Sequence, residues 1–264
     1  MTSLTRLVET DAHEGPVYVD DALYFTTQRP DVAIKRLALD TGEVTTVRAG
    51  ANVANGMAVD GEGRLIVCEQ HPAAITRLDL ATGRVETLVD SYDGKPLNSP
   101  NDVVVRHDGS IWFTDPSYGH LQGFRPPPEL PDAVYRYADG ELTMVADGFD
   151  KPNGLAFSPD EDVLYVGDNG APRRILAFDV IDGHRLANGR VVAHSTPEHP
   201  DGLKVDAAGR IYASAADGVR VYEPSGEQVA EIPVPGAVNF AFGDQALFIT
   251  ADDAIWVAAL DIRS

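Results

Sequence analysis

A single cysteine, Cys68, stands in this chain of 264 residues, so it has no partner within the chain for a disulfide. Basic residues are also scarce: 21 Lys and Arg face 41 Asp and Glu, a formal charge of −20. That excess repels phosphate backbones and anionic lipid surfaces, and no Lys/Arg cluster interrupts it. Nucleic acid and membrane surfaces are therefore not expected as partners. No apolar run approaches the ~18 residues of a membrane span, and the opening MTSLTRLVETDAHEG lacks the apolar stretch of a secretory signal. The expected location is the cytoplasm.

Helix-length amphipathic stretches are missing too. In their place are short runs rich in Val, Ile, Leu, Tyr and Phe, punctuated by Asp-Gly, Asn-Gly and Thr-Gly pairs, which is the pattern of strands joined by tight turns. The runs recur as a unit. Its openings are EGPVYVDDALYFTTQ, NGMAVDGEGRLIVCEQ, NDVVVRHDGSIWFTDP, NGLAFSPDEDVLYVGDN, DGLKVDAAGRIYASAAD and NFAFGDQALFITADD, beginning at Glu14, Asn55, Asn101, Asn153, Asp201 and Asn239. The spacings of 41, 46, 52, 48 and 38 residues average 45. A four-stranded unit of that period is a propeller blade, which cannot bury both faces until neighbours pack against it. The expected fold is all-β, a single six-bladed β-propeller over residues 1–264 with four-stranded blades. The sixth unit supplies only three strands, and residues 3–10 (SLTRLVET) are expected to complete it as the outer strand and so close the ring.

The six unit openings carry Glu, Asn, Asn, Asn, Asp and Asn in register. A single Asn-Gly or Asp-Gly reads equally as a turn. Six oxygen-bearing side chains at equivalent strand starts instead place a ring of donors at one end of the central channel. Two carboxylates and several amides, without His or Cys, suit one divalent cation: calcium first, then magnesium or manganese, with zinc or iron(II) less well matched. A cation would also relieve the repulsion between Glu14 and Asp201.

At these residues the sequence resembles the senescence marker protein/gluconolactonase (SMP-30/gluconolactonase/LRE-like) family of six-bladed propellers, which also resembles the calcium-dependent diisopropyl fluorophosphatases. The likeness is carried by EGPVY at Glu14, NSPNDVVV (98–105), IWFTDPSYG (111–119), PNGLAFSPD (152–160) and PDGLKVDAAG (200–209). It implies that Glu14, Asn153 and Asp201 hold the cation, with Asn101 a fourth ligand or a substrate contact. The animal branch has an Arg where this chain has Ser99, and NSPND looks closer to the bacterial lactonase branch.

Loops between second and third strands should share the metal's face. They offer Thr27, Gln28, Arg29, Glu69, Gln70, His71, Asp168, Asn169, Asp217, Asp252 and Asp253, and a long blade-three loop over 115–132 with Tyr118, His120, Phe124 and Arg125. Arg29, Glu69, His71, Tyr118 and His120 are the candidate substrate contacts, together with Asn101. The blade-three loop reads either as a lid or as a surface loop packed by its own aromatics. His107 and Asp160 belong to turns at the far end, and Cys68 reads as a core residue. The reaction the resemblance implies is opening of a small-molecule lactone, a sugar lactone first, with Asp201 or Asp102 as the base. Phosphotriester hydrolysis on the same ring and a non-catalytic metal-binding propeller are the alternatives. No G-x-S-x-G motif signals a serine nucleophile.

Overall fold

A computed structural model describes residues 4–195 and 198–260. Five four-stranded antiparallel sheets follow one another along it, each in sequence order from the inside outwards. Blade one comprises Val17–Val19, Ala22–Thr26, Ile34–Ala38 and Val44–Arg48. Blade two comprises Ala54–Val59, Leu65–Gln70, Ala73–Leu78 and Val85–Val89. Blade three is Val103–Val105, Ile111–Asp115, Ala133–Ala138 and Glu141–Ala146. Blade four is Pro152–Phe157, Val163–Asp168, Arg174–Ile181 and Arg185–His194, and blade five is Leu203–Val205, Ile211–Ala215, Gly218–Tyr222 and Gln228–Pro233.

The sixth blade is closed by the chain's beginning, as expected. Its inner strand Asn239–Phe242 pairs with the first half of the long strand Ala246–Ala259, and Leu4–Ala12 pairs with the second half, running from Leu4 opposite Ala258 to Ala12 opposite Asp252. The closing strand extends two residues beyond the expected Thr10, because Ala12 is fully buried between blades six and one. Ser3, at the start of the expected segment, lies outside the described residues.

The burial gradient is radial. The second strands Leu65–Gln70, Ile111–Asp115 and Ile211–Ala215 are buried at every position, whereas the outer strand Val85–Val89 is exposed or half-buried throughout. Among the described residues the apolar core falls into six clusters, each shared by two successive blades. Leu23, Phe25 and Leu37 of blade one meet Phe248 and Ile255 of blade six, so the last interface resembles the rest and the ring has no open seam. Cys68 sits in the cluster between blades two and three, where burial pushes its thiol well above the ordinary range.

Outer hairpins use the turns the sequence advertises. Asp139-Gly140, between the paired Ala138 and Glu141, has both residues left-handed (φ 53° and 81°), as a two-residue turn matched to strand twist requires. Among the described residues no helix is long and apolar enough to cross a membrane.

Candidate active site

The Asn-Gly and Asp-Gly pairs at the unit openings do something different from those hairpin turns. Gly56, Gly154 and Gly202 are not left-handed; they are small because the next blade's ring residue lies against them. A Cβ on Gly56 would sit 2.5 Å from Asn101 O, and one on Gly154 would sit 2.4 Å from Asp201 O. Backbone hydrogen bonds follow the same path: Gly56 N donates to Asn101 O at 2.8 Å, and Gly154 N to Asp201 O at 2.9 Å. Hydroxyls at the second strands add further links, with Thr26 Oγ1 donating to Asn55 O at 3.4 Å, Thr114 Oγ1 to Asn153 O at 2.8 Å and Ser214 Oγ to Val238 O at 2.5 Å. The motif therefore encodes the packing of neighbouring inner strands, and that packing sets the ring residues side by side.

Five of the six ring residues, Glu14, Asn55, Asn101, Asn153 and Asp201, line one cavity of about 450 Å³. The sixth, Asn239, is recessed: its amide donates to Glu14 Oε2 at 2.7 Å while its Oδ1 accepts from Phe240 N at 2.8 Å. Glu14 Oε2 also accepts from Gly15 N at 3.1 Å. On the opposite side, Asn153 Nδ2 donates to Tyr118 Oη at 3.2 Å, which turns the amide and leaves its oxygen unused by that bond. Burial, followed by the charge of Glu14, pushes the Asp201 carboxyl well above the usual range, against the opposing effects of His13 and Asn153. The buried Oδ1 of Asn55 has no hydrogen-bond partner.

These features fit a divalent cation. The carboxylates of Glu14 and Asp201 repel each other in a buried setting, and one hard cation answers that repulsion. The donors are mixed carboxylate and amide, and among the described residues no group of three or more His, Cys, Asp and Glu comes together to make a different kind of site.

The remaining expected residues divide. Arg29 and Tyr118 line the cavity, as do Thr27, Gln28, Gln70 and Asn169. Glu69, expected at the substrate, is instead 1% exposed and faces inward: its carboxylate accepts from Asn52 Nδ2 at 2.6 Å and Thr76 Oγ1 at 2.8 Å and pairs with Arg48. Two other blades show why. Asp115 accepts from Asn98 N and Ser99 N at 2.8 and 2.7 Å, and Asp168 from Asp150 N and Lys151 N at 3.0 and 2.8 Å. An acid at the end of the second strand thus clamps the chain that leads into the ring. His71 is exposed and packs on Phe124, ring centroids 6.2 Å apart, rather than lining the cavity. His120 lines a small separate crevice with the prolines at 126–128.

Asp102, expected as a base behind Asn101 or as a turn former, stands behind the cavity wall. It is 1% exposed and absent from the cavity wall; its Oδ1 accepts from Val103 N at 2.9 Å and its Oδ2 lies 3.7 Å from Lys204 Nζ. Burial pushes its carboxyl up to about 6 despite Lys204.

The blade-three loop is a fastened wall. Arg125 donates to Leu97 O at 2.7 Å and Asn98 O at 3.1 Å, and Gly119 N donates to Ser99 Oγ at 2.8 Å. Ser99, where the animal branch has Arg, serves this anchorage and is fully buried. The short helix Tyr118–Leu121 then presents Tyr118 and, just beyond it, Gln122 to the cavity. Sequence reasoning did not single out Gln122 or His13. His13 lines the cavity with its Nδ1 2.6 Å from Asp252 Oδ1, and its only signal was adjacency to Glu14.

Residues 12–253 match the model of the SMP-30/Gluconolactonase/LRE-like region. A gluconolactonase of Zymomonas mobilis is 31% identical, over 90% of this chain and 75% of its own length. A lactonohydrolase of Aspergillus oryzae is 30% identical over 89% of this chain, which spans 64% of that protein. Among solved structures, a gluconolactonase from Xanthomonas campestris superposes with a TM-score of 0.91 at 38% identity, covering 98% of this chain and 90% of that one.

Proposed function

The chain belongs to the SMP-30/gluconolactonase/LRE-like family, and from that premise we propose that it is a metal-dependent hydrolase that opens sugar lactones. The observation that carries the reading is the ring of oxygen donors, two of them carboxylates, on the wall of a cavity of about 450 Å³. Relatives named gluconolactonase and lactonohydrolase support the substrate class.

Glu14, Asn153 and Asp201, with Asn101 beside them, are the residues that would hold one divalent cation, calcium before magnesium, manganese, zinc or iron(II). When bound, a cation there would supply Lewis acidity toward the lactone carbonyl and the charge that gathers on its oxygen. The chain's residues do the rest. Tyr118 stays protonated, its hydroxyl pushed far up by burial and by the Asp201 charge, so it orients Asn153 and can still donate to a substrate oxygen. Asp201 lines the cavity where Asp102 does not, which makes it the base in this reading. It accepts a proton from water as the water oxygen bonds to the carbonyl carbon, and returns that proton to the ring oxygen as the C–O bond breaks, giving the hydroxy acid. Gln28, Gln70 and Gln122 offer amides of both polarities to sugar hydroxyls.

The test is proton release from glucono-1,5-lactone near neutral pH, after chelation and after adding back each of the five cations, with spontaneous hydrolysis subtracted. Restored turnover supports the reading and ranks the metals. A parallel assay with diisopropyl fluorophosphate discriminates against phosphotriester hydrolysis, and silence on lactones with every cation overturns the proposal.

A further inference from the structure

Among the described residues Arg29, Arg36, Arg84, Arg125 and Arg136 hold no carboxylate, and of these Arg29 lines the main cavity. Arg48, Arg64, Arg106, Arg174, Arg210 and Arg220 all hold carboxylates. Arg29 has no carboxylate within ion-pairing distance among the described residues, although Asp31 is two positions away, and it lines the main cavity. Its guanidinium carbon lies 4.6 Å from the centroid of the Phe124 ring, so the blade-three loop supports one face of the group and leaves its N–H edges unused. The preceding residue is tethered as well: Gln28 N donates to Asp11 Oδ1 at 3.0 Å and Gln28 Nε2 to Asp252 O at 3.3 Å.

A second, more open hollow of about 370 Å³ shares His13, Asn169 and Asp201 with the first. That hollow carries Glu198, His199 and an Asp252 already engaged by His13, whereas Arg29 lines only the first. The first cavity thus holds a guanidinium, that of Arg29, which no carboxylate neutralises and which the Phe124 ring supports. An anionic group on the substrate, remote from its lactone carbonyl, is attracted to that guanidinium, which orients the substrate in the cavity.

We propose that Arg29, backed by Phe124, is a specificity-determining residue that binds an anionic group, a phosphate or a carboxylate, at the end of the sugar chain remote from the lactone carbonyl. The preferred substrates are then lactones of phosphorylated aldonic acids or of aldaric acids rather than neutral aldonolactones. Arg29 is solvent-exposed, but its planar guanidinium is held against Phe124, and its hydrogen bonds to either anion are charge-assisted and can be bidentate, which the point charge of a lysine cannot match. This inference rests on the cavity being the substrate site of the proposed lactonase.

Its test separates the two readings. Calorimetric titration of the calcium-loaded protein with gluconate, gluconate 6-phosphate and glucarate measures the anion preference without turnover, since all three share the carboxylate end. The expectation is that gluconate 6-phosphate or glucarate binds at least about 10-fold more tightly than gluconate, and the tighter of the two identifies the anion. Arg29→Gln should remove that preference, Arg29→Lys should restore part of it, and Phe124→Leu should weaken it while the charge remains. Equal affinities, failure of all three to bind, or a preference that survives Arg29→Gln would overturn the proposal. Lactone turnover measured on the same variants tests the other reading: a binding preference without lactone hydrolysis leaves the anion subsite standing and removes the lactonase, and hydrolysis without preference does the reverse.

Discussion

The side-chain amide of Asn239 donates to Glu14 Oε2 at 2.7 Å, and both residues are buried. The sixth member of the ring therefore supports the first and does not itself face the cavity. Asn239→Ala should leave the fold intact and weaken calcium binding by about 10- to 100-fold, the usual cost of losing a partner that orients a ligand. Asn239→Asp should do worse, because it sets a second carboxylate against Glu14. Calcium titration of both variants checks the order, and equal binding by wild type and Asn239→Asp would refute the assignment.

Asp201 carries a sharper expectation. Asp201→Asn keeps an oxygen at the ring while removing the charge and the proton acceptor, so turnover should fall by about 10³-fold or more while the melting temperature of the cation-free protein holds or rises. Asn55→Ala, which removes an unpartnered buried oxygen, should cost far less turnover. Initial rates on one lactone at saturating calcium compare the two, and equal losses would break the division of the ring into base and bystander.

Much of this architecture was legible in the sequence because a propeller repeats its local rules. Strand composition, turn pairs and a period near 45 fixed six blades, and the oxygen-bearing openings marked the ring. What sequence could not separate was two uses of one letter pair: Asp139-Gly140 is a left-handed turn, whereas the Gly of Asp201-Gly202 is not left-handed and packs tightly against Asn239 of the next blade. Glu69 was misplaced for a related reason. A carboxylate at the end of a second strand points either to solvent or back along its own blade, and the deciding partners, Arg48 and Asn52, sit about 20 residues earlier. His13 went unnoticed because its partner Asp252 is 239 residues away.

The glycine contacts give a prediction about packing. Gly154→Ala would force a Cβ to within 2.4 Å of both Asp201 O and Leu203 N, backbone atoms that cannot step aside without moving blade five. It should destabilise the protein by about 2 kcal/mol or more and weaken calcium binding with it. Gly61→Ala, where the Cβ meets nothing within 4 Å, is the control and should change stability little. Thermal melts with and without calcium distinguish them.

Ring closure can be tested by removing its last strand. Deleting residues 1–10 removes the pairing of Leu4, Thr5, Arg6, Val8 and Glu9 with the outer edge of Ala246–Ala259 and uncovers the cluster between blades six and one. The truncated protein should melt at a clearly lower temperature and self-associate through the exposed edge. An unchanged melting temperature would mean that the blades hold together without the closing strand.

The buried carboxyls predict how stability depends on pH. Asp102 is pushed up to about 6 and Asp115 to about 7, in both cases chiefly by burial, and Asp201 is raised by burial and by Glu14. Each group holds its proton more tightly in the folded chain than in the unfolded one, where an Asp titrates near about 3.9. Between about pH 4 and 7 the folded state therefore binds more protons, and stability must fall as pH rises through that window. The cation-free protein should accordingly melt at a higher temperature at pH 5.5 than at pH 7.5. Calcium reverses the balance for Asp201 by favouring its ionised form, so the stabilisation it gives should be larger at pH 7.5, and binding near pH 6 should release protons. Melting curves at the two pH values, with chelator or with calcium, measure both effects. An increment from calcium that is the same at both pH values would show that the carboxyl which loses its proton is not at the cation site.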